Sequence, residues 1–320
     1  MHPFSHSPES CLSSLGEVRL IERIREWLGD TAPPSPYGMG DDTAVLPHAR
    51  HNLLTTDSLV YGRHFDDTLP PGLAGAKLLK RNLSDIAAMG GTPAVAVLAG
   101  FLPGHTTLAW LEAFTRGLAD CARTWSVPVV GGDLSATDSF LGFNLTLTGQ
   151  ATRPILRGAA RPGDLIWVSG ELGGSLAGHH ATFTPRLPEG QWLGAQAAVH
   201  TLIDVTDGLA KDLPTLLPAG TAAALQLETL PLAPAAHDAA RGSEREAWTH
   251  ALSDGEDYEL AFTTAPDWAE NGAPAWSRHF KTRLTCIGKV VTTENEVARA
   301  LLDAATGRPL PLAAGYEHFR

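Results

Sequence analysis

Five short motifs in this 320-residue chain end in or near an aspartate: Gly38-Met39-Gly40-Asp41-Asp42, Thr55-Thr56-Asp57, Asn82-Leu83-Ser84-Asp85, Gly131-Gly132-Asp133 and Asp204-Val205-Thr206-Asp207-Gly208. Each has a plain structural reading by itself. Asp41 and Asp42 suit a tight turn, Asp57 and Asp133 a strand end or turn, Asp85 a solvated helix face, and Thr206 or Asp207 a helix N-cap. Together they describe carboxylates delivered to one place from along the whole chain. Two carboxylates about 4 Å apart repel by roughly 4 kcal/mol at an effective dielectric of about 20, so a converging set either keeps protons or binds cations. Hard oxygen donors on short loops favour magnesium carried in with a phosphorylated substrate. A further acidic run, Asp254-Gly255-Glu256-Asp257-Tyr258-Glu259, leads into an apolar stretch and also fits an acidic turn.

Other routes to phosphate and to nucleophilic chemistry are missing from the sequence. There is no Gly-x-x-x-x-Gly-Lys-Ser/Thr loop, no His-Glu-x-x-His pair and no Gly-x-Ser-x-Gly turn, and Gly170–Gly174 lacks the full dinucleotide fingerprint. Phosphate would then be handled through metal bridges and isolated cations. Arg157 is a candidate because a guanidinium grips phosphate oxygens as a fork. His64, in a Gly-Arg-His-Phe loop, could touch a substrate phosphate, although lone loop histidines are usually structural. Lys80, Arg81 and Arg161 read as solvated charges.

The elements that must position these residues alternate between strand and helix. Spacings of three and four predict helices over 15–29, 73–90 and 106–125. Strands are expected at 44–46, 52–56, 93–101, 127–130 and 140–150, the fourth running into Gly131-Gly132-Asp133. On the 73–90 helix, Asn82 and Asp85 share a polar stripe. A Pro- and Gly-rich stretch near 150–163 marks a boundary. Beyond it come a strand at 165–169, a helix at 172–180, a loop at 181–191, and a helix at 206–217 opening at the second acidic signature. Strands follow at 223–227, 258–263 and 284–291. The pattern is α/β or α+β in two halves.

A formal net charge of −11 disfavours nucleic acid and anionic membrane surfaces as partners, and a hydrophobic fraction of 43% is that of a globular protein. No apolar run approaches the roughly 20 residues that span a bilayer. Residues 1–14 read as a polar extension without signal-peptide character. Cys11, Cys121 and Cys286 are widely spaced, which fits free thiols in a reducing cytoplasm.

In this order, and together with Gly255-Glu256-Asp257-Tyr258-Glu259-Leu260 and the tail Gly315-Tyr316-Glu317-His318-Phe319, the motifs resemble the thiamine-monophosphate kinase family of the aminoimidazole ribonucleotide synthetase-like superfamily. The likeness runs from about residue 38 to the C-terminus. Single motifs are shared with aminoimidazole ribonucleotide synthetase, selenophosphate synthetase and a hydrogenase maturation protein. The resemblance implies a two-domain fold with an N-terminal domain over 15–150, whose strands join a partner's in a barrel at a homodimer interface, and an α/β C-terminal domain over 151–320. It implies transfer of phosphate from ATP to thiamine monophosphate, in the cytoplasm. Magnesium ions would be held by Asp42, Thr55, Thr56, Asp57, Asp85, Asp133, Asp204 and Asp207. ATP would meet Gly132, Asp133, Arg157 and Thr206, and the thiamine phosphate would meet His64, Glu256 and Tyr316. Asp57, Asp207 and Arg157 would carry the transfer, in line and without a covalent enzyme intermediate.

Two features depart from the family pattern. Thr206 stands where serine is common, and Thr184–Pro188 matches an Arg/Pro-rich family segment only in part. Another ATP-dependent synthetase of the superfamily, or an inert ATP- and metal-binding scaffold, are the competing expectations.

Overall fold

The computed structural model describes residues 44–46, 51–103, 105–293 and 299–311. The motif at 38–42, the 15–29 helix, Cys11 and Tyr316 therefore lie outside the described residues. The first sheet comprises β1 (Ala44–Leu46), β2 (Asn52–Val60), β3 (Thr92–Pro103), β4 (Val129–Thr137) and β5 (Gly142–Gln150), in the order β1-β2-β5-β3-β4. All neighbours are antiparallel except β3 and β4, which are joined by a helical crossover. Among the described residues that sheet is open and closes no barrel.

Helices α1 (Pro71–Ala88) and α2 (Leu108–Trp125) cover one face of this sheet. Pro71 opens α1 where a missing N–H costs nothing, and the Thr107 hydroxyl caps α2 by accepting from the Trp110 amide. The two helices approach through glycines. A Cβ on Gly117 would stand 2.0 Å from the Gly72 carbonyl oxygen, and one on Gly75 2.0 Å from that of Phe114.

The second sheet comprises β6 (Leu165–Ser169), β7 (Val199–Asp204), β8 (Thr221–Leu225), β9 (Leu260–Thr264), β10 (Leu284–Thr292) and β11 (Leu301–Asp303), in the order β11-β8-β10-β6-β9-β7. Around it lie the short α3 (His179–Thr182), α4 (Leu187–Gly194), α5 (Leu209–Asp212), α6 (Pro234–Arg241), α7 (Ala247–Ser253) and α8 (Trp268–His279). The expected 206–217 helix is only one turn of α-helix, because Pro214 cannot donate to an α-ladder and the chain tightens into a 3-10 turn over Leu213–Leu216. Conversely, the expected 181–191 loop contains α4, with Pro188 in its first turn. The expected 172–180 helix shrinks to a 3-10 turn at Ser175–Ala177 and the start of α3. Gly131-Gly132-Asp133 falls inside β4 rather than after it.

One apolar core runs from the first sheet to the second. Leu53, Leu83 and Phe114 join Leu187 and Leu193 on α4, and then Phe262, Trp268 and Trp276. Helix α1 is wedged against both halves, so the side chains it projects reach both.

Candidate active site

The row of acidic motifs converges through α1. Lys77, Arg81 and Asp85 are spaced by four and share a helix face, while Ser84 turns toward the second half. Thr55 donates its hydroxyl to Asp85, and Arg81 pairs with Asp57 across 3.0 Å while donating to the Ser58 carbonyl, also at 3.0 Å. Ser84 donates to the buried Asp204 at the end of β7. Arg81 is therefore not the solvated charge expected from sequence: its side chain is only 17% exposed. Lys80 is also not simply solvated, lying 5.5 Å over the ring of Phe183. Asn82 is buried and donates back to Leu78, so the expected Asn82–Asp85 stripe does not form.

Two loops of the second half face this helix. Both Thr206 and Asp207 amides donate to Asp212, at 2.9 and 3.0 Å, and Lys211 pairs with Asp207 at 2.7 Å. The 254–259 loop is clasped to the first loop by the Glu256 amide donating to Thr206 and the Tyr258 amide donating to Val205. Gly255, Glu256 and Tyr258 all have positive φ, at 74°, 52° and 52°. For Glu256 and Tyr258 that conformation is strained, and such strain persists only where surrounding contacts over-determine it. Its result is a sorting of the acidic run. Asp254 and Glu256 face the cavity. Asp257 is buried and accepts from Gly173, and Glu259 is gripped by Arg186 and Ser169.

A cavity of about 240 Å³ lies between the two halves. The first half lines it with Asp57, Arg63, His64, Arg81 and Asp85, and the second with Leu176, Thr206, Asp207, Asp254, Glu256 and Tyr258. Two larger hollows, of about 640 and 960 Å³, gather none of the aspartate motifs. Glu256 is paired with Lys77 at 2.8 Å, and Lys77 also meets His180 at 2.8 Å. Burial alone would raise the Glu256 pKa, but the Lys77 ammonium beside it brings it below the ordinary carboxylate value. Burial lowers the pKa of Lys77 and of His180. Burial also pushes the Tyr258 phenol well up, keeping it neutral as it donates to Glu256 at 3.1 Å. His64 accepts the Val60 amide at Nδ1, leaving Nε2 as the proton-bearing nitrogen of the neutral ring.

Several expected ligands are not brought here. Strand alternation turns the Thr56 side chain to the other face of β2 from Thr55 and Asp57, where its hydroxyl meets Asn144 and Thr146. Asp133 is on the exposed edge strand β4, in the register row Ser58–Asn144–Ala99–Asp133, again on that outer face. Gly132 is its neighbour, with no room for a Cβ beneath the Leu98 carbonyl. Arg157 is half-buried in the turn before β6 and does not line the cavity. Among the described residues no three His, Cys, Asp or Glu side chains close on one metal-sized point. The carboxylate and hydroxyl groups lining the cavity are nonetheless hard oxygen donors, the chemistry magnesium takes.

Residues 40–151 match the family described as AIR synthase related protein, N-terminal domain. A thiamine-monophosphate kinase of Rhodopirellula baltica is 38% identical, covering 81% of this chain and 84% of that one. One of Escherichia coli K12 is 34% identical over 95% and 98% of the two chains. Among solved structures, AaThiL complexed with AMPPCP and TMP superposes with a TM-score of 0.80 at 27% identity, covering 98% of this chain and all of that one. The E. coli hydrogenase maturation protein HypE, at 21% identity and a TM-score of 0.65, shares the fold. The chain belongs to the thiamine-monophosphate kinase family.

Proposed function

We propose that the protein transfers the γ-phosphoryl group of ATP to thiamine monophosphate, giving ADP and thiamine diphosphate. The observation that carries this reading is that Asp57 and Asp85 face the same cavity as Thr206, Asp207 and Glu256, more than 100 residues away in sequence. The AaThiL relative is complexed with AMPPCP and TMP, and the chain matches its whole length. At about 240 Å³ the cavity is smaller than the roughly 300–1,000 Å³ of small-molecule sites, so it suits the meeting phosphate ends rather than both whole molecules. His64, through Nε2–H, and Glu256 would orient the thiamine phosphate together with Tyr316. Thr206, Gly132, Asp133 and Arg157 would line the path of ATP outward from it.

The acceptor needs no general base. A phosphate monoester has its second pKa near 6 and is largely ionised at neutral pH. The protein's work is to hold two anionic phosphates in line and to exclude water. Asp57, Asp85, Asp204 and Asp207, with Asp42 and Thr55, are the proposed magnesium ligands, Thr56 joining them through its backbone oxygen; Asp133, on the other face of the sheet, is not among them. Bound magnesium would offset the repulsion between the phosphates.

The division into domains at 15–150 and 151–320 belongs to the same reading, as does a homodimer in which the open first sheet meets a partner's in a barrel. Val97, Phe101, Val129, Val130 and Leu134 are exposed on β3 and β4, which supports that interface. No helix among the described residues is long and apolar enough to cross a membrane, and a cytoplasmic setting is proposed.

The test is ADP release from the purified protein with ATP and magnesium, supplied in turn with thiamine monophosphate and with formylglycinamidine ribonucleotide. Release with the first alone is expected. Release with the second alone, or with neither, would overturn the reading in favour of a synthetase or an inert scaffold.

A further inference from the structure

Three of the carboxylates lining the cleft are each paired with one of the protein's own cations. Asp57 has Arg81 at 3.0 Å, Asp207 has Lys211 at 2.7 Å and Glu256 has Lys77 at 2.8 Å. Arg81 is held at two points of its planar group. One guanidinium nitrogen is engaged by Asp57 and the other is tethered to the Ser58 carbonyl of the same strand, so the planar group lies flat along β2 at the cavity wall. Burial would weaken its hold on the proton, but Asp57, Tyr258, Glu256 and Asp85 around it more than offset that and keep it charged.

We propose that Arg81 is a resident counter-cation of the cleft, occupying Asp57 in the ligand-free protein and competing with a divalent ion for that carboxylate. This rests on the reading that a divalent cation binds at Asp57. Two positive charges cannot share one carboxylate oxygen without mutual repulsion, so the ion must displace the guanidinium from Asp57 or bind more weakly beside it. The pair lets the cleft fold with its charge balanced before any ion arrives. Its cost is a weaker grip on the metal. Arg81 is accordingly a positioning residue that sets the concentration at which the ion binds.

The test is manganese(II) alone, titrated into full-length, nucleotide-free protein and followed by electron paramagnetic resonance. Arg81→Met should bind manganese about fivefold to tenfold more tightly than the wild type, as removal of a partly exposed competing pair of order 1 kcal/mol requires. In EDTA its melting temperature should fall below that of the wild type, and saturating manganese should narrow the gap. A purely structural Arg81 would lower the melting temperature equally with and without manganese and leave the affinity unchanged. That result, or no manganese binding by either protein, overturns the proposal. If Arg81→Met does not fold, Arg81→Lys keeps the charge but loses the fork that reaches Ser58. It should still bind manganese at least about twofold more tightly, and unchanged affinity again overturns the idea. Thiamine monophosphate turnover by the wild type, measured separately, reports on the proposed activity without touching this comparison.

Discussion

At the scale of single residues, the cleft is governed by which side chains α1 carries. The spacing of Lys77, Arg81 and Asp85 was present in the sequence, but a periodic charged stripe on a helix is the ordinary mark of a solvated face, and nothing local says that a second sheet covers it. Asp57, Asp85, Thr206 and Asp207 stood out as members of short acidic motifs, whereas His64 and Glu256 took their roles from the family resemblance. Lys77 and His180 were not, since their partner Glu256 is far away in sequence. The Lys77–Glu256 pair predicts a pH signature. The carboxyl of Glu256 is lowered on folding, so its contribution to stability is fully present above the ordinary carboxylate pKa and lost as pH falls through the folded value. Glu256→Gln should therefore be less stable than the wild type at neutral pH, with a gap that stays level down to about pH 4.5 and closes below it. Urea melts across pH 3–8 would measure this, and a gap constant down to pH 3 would contradict it.

At the scale of elements, the regular α1, α2, β2 and β6 were readable from periodicity, and β6 agrees to the residue. What sequence patterns missed were the places where tertiary contact decides. Gly131-Gly132-Asp133 reads as a turn, yet Gly132 is in mid-strand because β4 lies too close to the Leu98 carbonyl for any side chain. The 181–191 stretch reads as a loop by its prolines. Pro188 merely starts α4, whose Gly190 packs its backbone on Ala87 of α1, a Cβ there standing 2.2 Å from the Ala87 oxygen. The same close approach makes α1 and α2 sensitive to one methyl group. Gly117→Ala should cost roughly 1–3 kcal/mol, because the helices must part to admit the Cβ. It should appear as a lower urea midpoint with an unchanged slope; an unchanged midpoint would show that the helix pair yields freely.

At the scale of the whole molecule, the two halves were visible as two runs of alternating elements, whereas their shared core was not. Leu83 on α1, Leu193 on α4 and Phe262 on β9 belong to one apolar cluster although they come from different halves of the chain. The exposed apolar residues of β3 and β4 lead to a prediction for assembly. Sedimentation should give twice the mass of one chain, and Leu134→Lys, placed where the side chain is 69% exposed in the single chain, should shift it toward the monomer while the fold is retained. A wild-type monomer would remove the proposed interface. Through Arg81 and Asp85, α1 holds Asp57 and Thr55 on one side, and through Lys77 and Ser84 it holds Glu256 and Asp204 on the other. It is therefore a spacer, and the gap between the walls is set by the reach of side chains that project mostly from one of its faces. Walls braced on a common rod cannot swing apart as on a hinge without tearing those four contacts, so substrates would enter and products leave along the rod, past the loops at its ends.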